Sequence, residues 1–253
     1  MLYALLIGPI LALGLSALSA RWFYPQLLPR EWTAAPLLRL LADQRTAEAL
    51  ASSLLTAGST TAIALLLGVP AARIIGLRRF RLRSLALLLL FLPNVVPPLA
   101  IGMGLNVLFL RLGLAGGAPG VVLVHLVPVL PYTVFALLGV FERYDEGYEQ
   151  QALTLGASPL VIWRRIALPL LGPGVAVAAL FAFLVSWSQY VLTLLIGGGQ
   201  VITLPILLFA AVAGGNPSSI AGLALLFAAP PAIAIALTSR ALGGGAAQVG
   251  QQY

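Results

Sequence analysis

Six apolar runs, none with a charged residue near its middle, restrict this chain more than any motif in it. They cover about 2–20, 49–75, 85–110, 121–141, 170–196 and 220–242. A helix needs roughly 20 apolar residues to cross about 30 Å of hydrocarbon. Lipid admits only helices or closed barrels, and the runs lack the alternation of barrel strands. Charged residues are 8% of the 253-residue chain, against about 25% in soluble domains. The solvent for most of the surface is therefore lipid. The reading is an all-α integral membrane protein with six transmembrane helices. Residues 1–242 form a single membrane domain, and 243–253 a flexible cytoplasmic tail containing Gly243, Gly244 and Gly245. Ala17 to Ala20 resemble a cleavage site, but no basic residue precedes the first run, so it is read as a retained span.

The same composition excludes several kinds of chemistry. There is no cysteine, and His125 is the single histidine, so neither a thiolate nor a multi-histidine metal site can be built. Glu31, Asp43, Glu48, Glu142, Asp145, Glu146 and Glu149 all fall in loops or at the ends of runs. A charge at a helix centre costs about 2.5–3.5 kcal/mol and is kept for proton relays or ion paths. Its absence argues against a proton-coupled carrier and against acid–base catalysis inside the membrane. His125, near the outer end of the fourth run, is read as a packed, hydrogen-bonded side chain.

The net charge of +7 comes from 14 arginines with no lysine. They gather at the ends of apolar runs, where they signal topology rather than contact with nucleic acid. Arg73, Arg78, Arg79, Arg81 and Arg83 lie at the end of the second run or just after it; Arg143, Arg164 and Arg165 follow the fourth; Arg240 lies near the end of the last. The positive-inside rule places these loops and both termini in the cytoplasm. On the outer side, Pro36 followed by Leu37, Leu38, Leu40 and Leu41 starts a short interfacial helix.

Two spans carry interrupted backbone. "FLPNVVPPLAIGMG" puts Pro93, Asn94, Pro97 and Pro98 into the third, and Pro128 and Pro131 lie in the fourth. Each proline removes an amide donor, and broken helices persist in lipid where they pack on protein or line a wet cavity. Asn94 and its prolines are therefore candidates for a translocation path. The fifth span holds Ser186, Trp187, Gln189 and Tyr190. This patch fits either helix packing with an interfacial aromatic belt or a polar lining to that path. The four-residue spacing puts Ser186 and Tyr190 on one helix face.

Between the fourth and fifth spans, 142–169 is polar and organised. The residues from Asp145 to Leu155 suit a short helix, ended by Gly156 in a left-handed conformation. Ser158 caps a second helix with Pro159 at its first position, and Pro169 stops that helix before the fifth span. Leu153, Leu155, Leu160 and Trp163 flank the turn, and apolar groups on a polar loop call for a covering partner.

Gly156, nine residues, Ile166, one residue, then Leu168 and Pro169 resemble the second half of the signature loop of binding-protein-dependent ATP-binding-cassette importer permeases. "SSLLTAGSTTAIALLLGVPAARII", "LPNVVPPLAIGMGL" and "LVPVLPYTVF" are similar to spans of that family. Its loop begins Glu-Ala-Ala, where this chain has Gln150, Gln151 and Ala152, with Glu149 one place earlier. The resemblance implies the six-helix type I importer fold and a coupling loop comprising Glu149, Gln150, Gln151, Ala152, Leu155, Gly156, Ala157, Ser158, Pro159, Ile166, Leu168 and Pro169. It implies a cytoplasmic ATPase dimer that carries ATP and magnesium, a second permease subunit and an extracytoplasmic binding protein. No cofactor is expected on this chain, and no G-x4-G-K-[ST] phosphate loop is present, so it is not expected to be an enzyme. "FLVSWSQYVLTLLIGGGQVITLPILLF" resembles the polyamine, thiamine and ferric-iron branch, most of all its polyamine type, and so implies a polyamine-like small solute as the substrate. A secondary carrier or channel whose loop is only a connector is the competing reading, and a membrane scaffold is a third.

Overall fold

The fold is that of a computed structural model, which describes residues 2–249 apart from positions 21, 23–25, 27 and 30. Two arginines of the first outer loop and the last four residues of the expected tail lie outside that set. The elements are α1 (Leu2–Ala17), α2 (Ala35–Ala42), α3 (Gln44–Leu77), α4 (Arg83–Val95), α5 (Pro98–Arg111) and α6 (Ala118–Phe141), then α7 (Gly147–Thr154), α8 (Pro159–Ile162), α9 (Leu168–Trp187), α10 (Val191–Gly197), α11 (Leu204–Gly214) and α12 (Pro217–Val249). Among the described residues the only extended pairing is one bridge between Ser19 and Trp32.

The centre is a trio of helices, α3, α6 and α9. Along α3 the buried positions are Thr46, Ala49, Ser53, Thr56, Ala57, Thr60, Ala64, Gly68, Ala72 and Ile75. They recur every three or four residues, and all but the last are small. Lipid tails are as apolar as leucine, so helices associate by close van der Waals packing and small residues collect at the seams. Gly68 shows how close this is. A Cβ there would lie 2.9 Å from Thr133 Cγ2 on α6. The larger apolar side chains of α3 face outward, Leu55 and Leu66 among them, as lipid requires. At one end of the trio Ile75, Leu137, Leu138, Phe141 and Leu171 close a common apolar cluster.

Among the described residues, four helices are long and apolar enough to cross a membrane: α3, α6, the helix Pro159–Trp187, and Pro217–Arg240 of α12. The pair α4 and α5 makes a fifth if it is one span, but it bends by 97° at Val96–Pro97. The remaining expected span is α1, whose 16 residues reach about 24 Å at 1.5 Å each. It packs along α12, and Ser218 Oγ donates to Ser19 O at 2.6 Å. α2 forms where the proline-led leucine cluster placed it, packed on α12 and α3. α12 carries helix through 243–249, residues read from the sequence as tail.

Three local expectations are corrected. Pro169 does not end a loop helix. α8 passes through a π-helical turn, Trp163–Ala167, directly into α9, with Pro169 in its first turn. The wider turn is closed by Leu168 N–H on Trp163 O, five residues back, immediately before the proline, which has no amide to donate. The fifth run is not one helix, because α9 stops at Trp187 and the chain restarts at Val191. Ser186 and Tyr190 therefore do not share a helix face. The fourth run, by contrast, stays a single 24-residue helix through both its prolines.

Candidate functional site

The loop 142–169 and the segment after α3 meet at one end of the bundle. Asp145 Oδ1 accepts from Gly147 N at 2.8 Å, a turn that starts α7. At the far end of α7, Gly156 N–H reaches Leu153 O and Ala157 N–H reaches Ala152 O, both at 3.0 Å. This paired closure needs a left-handed residue between helix and exit, and Gly156 has φ +82°. Ser158 takes the cap position of α8 in extended conformation, but its side chain caps nothing. The expected serine cap is thus present only as backbone geometry, with Pro159 filling the first helical position.

Glu149, at the third position of α7, holds the loop to the bundle. One carboxylate oxygen accepts from Arg73 on α3 at 2.7 Å, and the other accepts from the Tyr144 hydroxyl, also at 2.7 Å. Glu146 lies 3.8 Å from the same guanidinium. The bond from Arg73 holds the Glu149 carboxyl below its usual range, against the opposing effect of burial. Burial raises the Tyr144 phenol, and its bond to the carboxylate raises it further. Arg83, at the start of α4, pairs with Glu142 and donates to Ile75 O at 3.0 Å. Two arginines on one side of the junction are thus matched by the acids on the other.

Of the remaining loop residues, Ala152 is buried and Ala157 and Ile166 are partly so, whereas Gln150, Gln151, Gly156, Ser158, Pro159, Leu168 and Pro169 are exposed. Leu155 is 88% exposed. The tip thus presents a bare leucine beside a glycine turn, outside the helix trio.

The intramembrane candidates divide. In the third run Pro93 and Asn94 are half-buried, while Pro97 and Pro98 are exposed at the bend. Pro98 begins α5, where its missing amide costs nothing. The buried Nδ2 of Asn94 has no partner among the described residues. In the fifth run Trp187 is buried, stacked between Phe183 and Phe227, with its indole donating to Phe227 O at 3.1 Å. It packs the bundle. Tyr190 leaves the helix and stacks on Phe209, and Gln189 is half-buried in the break.

The histidine read from the sequence as packed and hydrogen-bonded is both, and its partners lie on the two sides of this break. His125 on α6 lies 2.9 Å from Ser186 Oγ through Nδ1 and 2.9 Å from Thr193 Oγ1 through Nε2. Thr193 commits its own proton to Gln189 O at 2.9 Å, so it accepts from Nε2–H and Ser186 donates to Nδ1. A single neutral tautomer therefore ties the end of α9 to α10 across the gap. Nearby, Ser53 accepts from Leu204 N at 2.8 Å and fixes the start of α11. The sequence separation of these groups, 61 and 68 residues for the histidine contacts, hid the cluster. The one available signal was a lone histidine and a serine-threonine pair in otherwise apolar runs.

At the opposite end, a cavity of about 790 Å³ is lined by Arg45, Glu48, Ser52 and Gln200 among others. No group of three or more metal-ligating side chains occurs among the described residues.

The family described as binding-protein-dependent transport system inner membrane component matches residues 64–242. The molybdenum transport system permease protein ModB of Mycobacterium tuberculosis is 37% identical over 185 residues, covering 68% of this chain and 67% of that protein. The putrescine transport system permease protein PotI of Escherichia coli is 29% identical over 202 residues, covering 77% and 72%. A bacterial ABC transporter involved in the import of the acidic polysaccharide alginate, known from its crystal structure, superposes with a TM-score of 0.72 at 18% identity, covering 94% of this chain and 91% of that one.

Proposed function

This chain belongs to the family of binding-protein-dependent transport system inner membrane components, and on that premise we propose that it forms half of an importer's path and is driven through the loop 142–169. The carrying observation is the helix–turn–helix that leaves the bundle and ends in an exposed leucine at a left-handed glycine. Such a knob has the form of an element seated in a cleft of a partner. The partner is a cytoplasmic ATPase dimer, which supplies ATP and magnesium. A second permease subunit completes the path, and an extracytoplasmic binding protein delivers to the outer end. Both termini lie in the cytoplasm, where the arginine-rich loops are. A transporter without charges near the middle of its spans has no ion-coupling device of its own, which supports a partner as the energy source.

For the substrate we favour a small oxyanion of the molybdate kind. The acids of this chain lie in loops and at span ends, so a polycation would cross with no carboxylate to replace its water. The oxyanion reading also draws on the likeness to the molybdenum permease, and the polyamine reading on the likeness to the putrescine permease. Reconstitution of the chain with its ATPase, permease partner and binding protein in vesicles separates them. ATP-dependent uptake of molybdate without uptake of putrescine is expected. The reverse result assigns the polyamine, and uptake that ignores ATP overturns the importer reading.

A further inference from the structure

We propose that the segment Arg78-Arg79-Phe80-Arg81-Leu82 is a binding site for the phosphates of anionic lipids in the leaflet it faces. The five arginines from Arg73 to Arg83 are not equivalent. Arg73 and Arg83 are engaged by Glu149, Glu146 and Glu142, and Asp145 is occupied at the start of α7. Arg78, Arg79 and Arg81 are exposed and take part in no ion pair among the described residues. The ion pairs of Glu142, Glu146 and Glu149 go to Arg73 and Arg83, and Arg78, Arg79 and Arg81 put three positive charges into one turn.

Geometry says what those charges face. Only residues 78–82 separate α3 from α4, so the turn cannot travel far from the bilayer. Leu85, Leu88, Leu89 and Leu92 follow on α4 with their side chains exposed, so hydrocarbon begins about one helical turn after Arg81. Interleaved with the arginines, Phe80 and Leu82 are also exposed. Arginines reaching for phosphates around an aromatic and a leucine dipped below them is the pattern of interfacial binding.

The test measures lipids retained by the purified transporter complex, using native mass spectrometry after equilibration in vesicles of phosphatidylcholine with added phosphatidylglycerol. The wild type is expected to keep phosphatidylglycerol in preference, and the preference is expected to fall as salt rises. R78Q/R79Q/R81Q is expected to lower that retention roughly tenfold or more at low salt, and soluble glycerol phosphate is expected not to compete at equal concentration. A wild type without preference overturns the proposal, as does a triple variant that retains phosphatidylglycerol normally. Should the triple variant fail to insert, the single variant R79Q and the wild-type salt series distinguish the same two outcomes. Loss of the ATPase with lipid retention unchanged assigns the arginines to the protein partner and equally overturns it.

Discussion

Arg73 donates a 2.7 Å hydrogen bond to Glu149, 76 residues further along the chain. The bond joins the longest helix of the central trio to the first helix of the exposed loop. Both side chains are partly reached by water, 25% and 16% exposed, which places the pair between a surface and a buried one. Arg73→Ala and Glu149→Ala are each expected to cost about 1–2 kcal/mol. A double-mutant cycle on thermal unfolding of the complex should return a coupling of about 1 kcal/mol. A coupling near zero would show the two residues acting independently.

The same pair sets a pH dependence. Glu149 is held below its ordinary value by Arg73, so the unfolded chain takes up a proton first as pH falls. The stabilisation is whole above the ordinary carboxyl range and disappears as pH drops through the lowered value. The stability difference between wild type and Glu149→Gln should be flat from neutral down to about pH 5 and vanish in stronger acid. A difference that grows on acidification contradicts the assignment.

Gly156 tests the turn without touching its neighbours. A Cβ there meets nothing within 4 Å, yet φ is +82°. Gly156→Val therefore strains only the backbone, by about 1–2 kcal/mol. Co-purified ATPase and ATP-dependent uptake should both fall, with membrane insertion unchanged. Gly156→Asn, which tolerates the left-handed region better, should lose less. A Gly156→Val transporter with its full complement of ATPase and normal uptake would falsify the coupling role.

Removing His125 unties the break in the fifth run. His125→Ala leaves the Ser186 hydroxyl without its acceptor and opens a cavity, for a loss of about 2–4 kcal/mol. His125→Asn, which can still reach one hydroxyl, should keep part of it. Hydrogen exchange in 188–193 should rise in the alanine variant; unchanged protection there would separate the histidine from the break.

Gly68 tests close packing between α3 and α6. Gly68→Ala drives a methyl to 2.9 Å from Thr133 Cγ2, with an expected cost of about 1–3 kcal/mol. Thr133→Ser removes that methyl while keeping the hydroxyl that donates to Val129 O. The double variant should recover most of the loss, and failure to do so would point to a backbone shift rather than a side-chain clash.

Lipid as solvent, helices as the only element, the interruption at Pro97 and the Gly156 turn were all legible in the sequence. Each follows from local chemistry: apolar length, missing amides, or a residue that alone accepts positive φ without strain. The Ala152 and Leu155 neighbourhood could be read the same way, because a capped helix and an exposed leucine are properties of a few adjacent residues. Tertiary structure decided where distant polar groups went. Nothing within either segment pairs Arg73 with Glu149, or seats His125 between Ser186 and Thr193. Those contacts arise only once α3, α6 and α9 pack through their small residues. Tertiary packing also overruled two local signals. Pro169 lies inside a continuous helix just after a π turn, and the fifth run breaks at Trp187, where His125 bridges its two halves. A sequence states what each segment requires of its solvent, and packing supplies the partners that a polar group needs once that solvent is lipid.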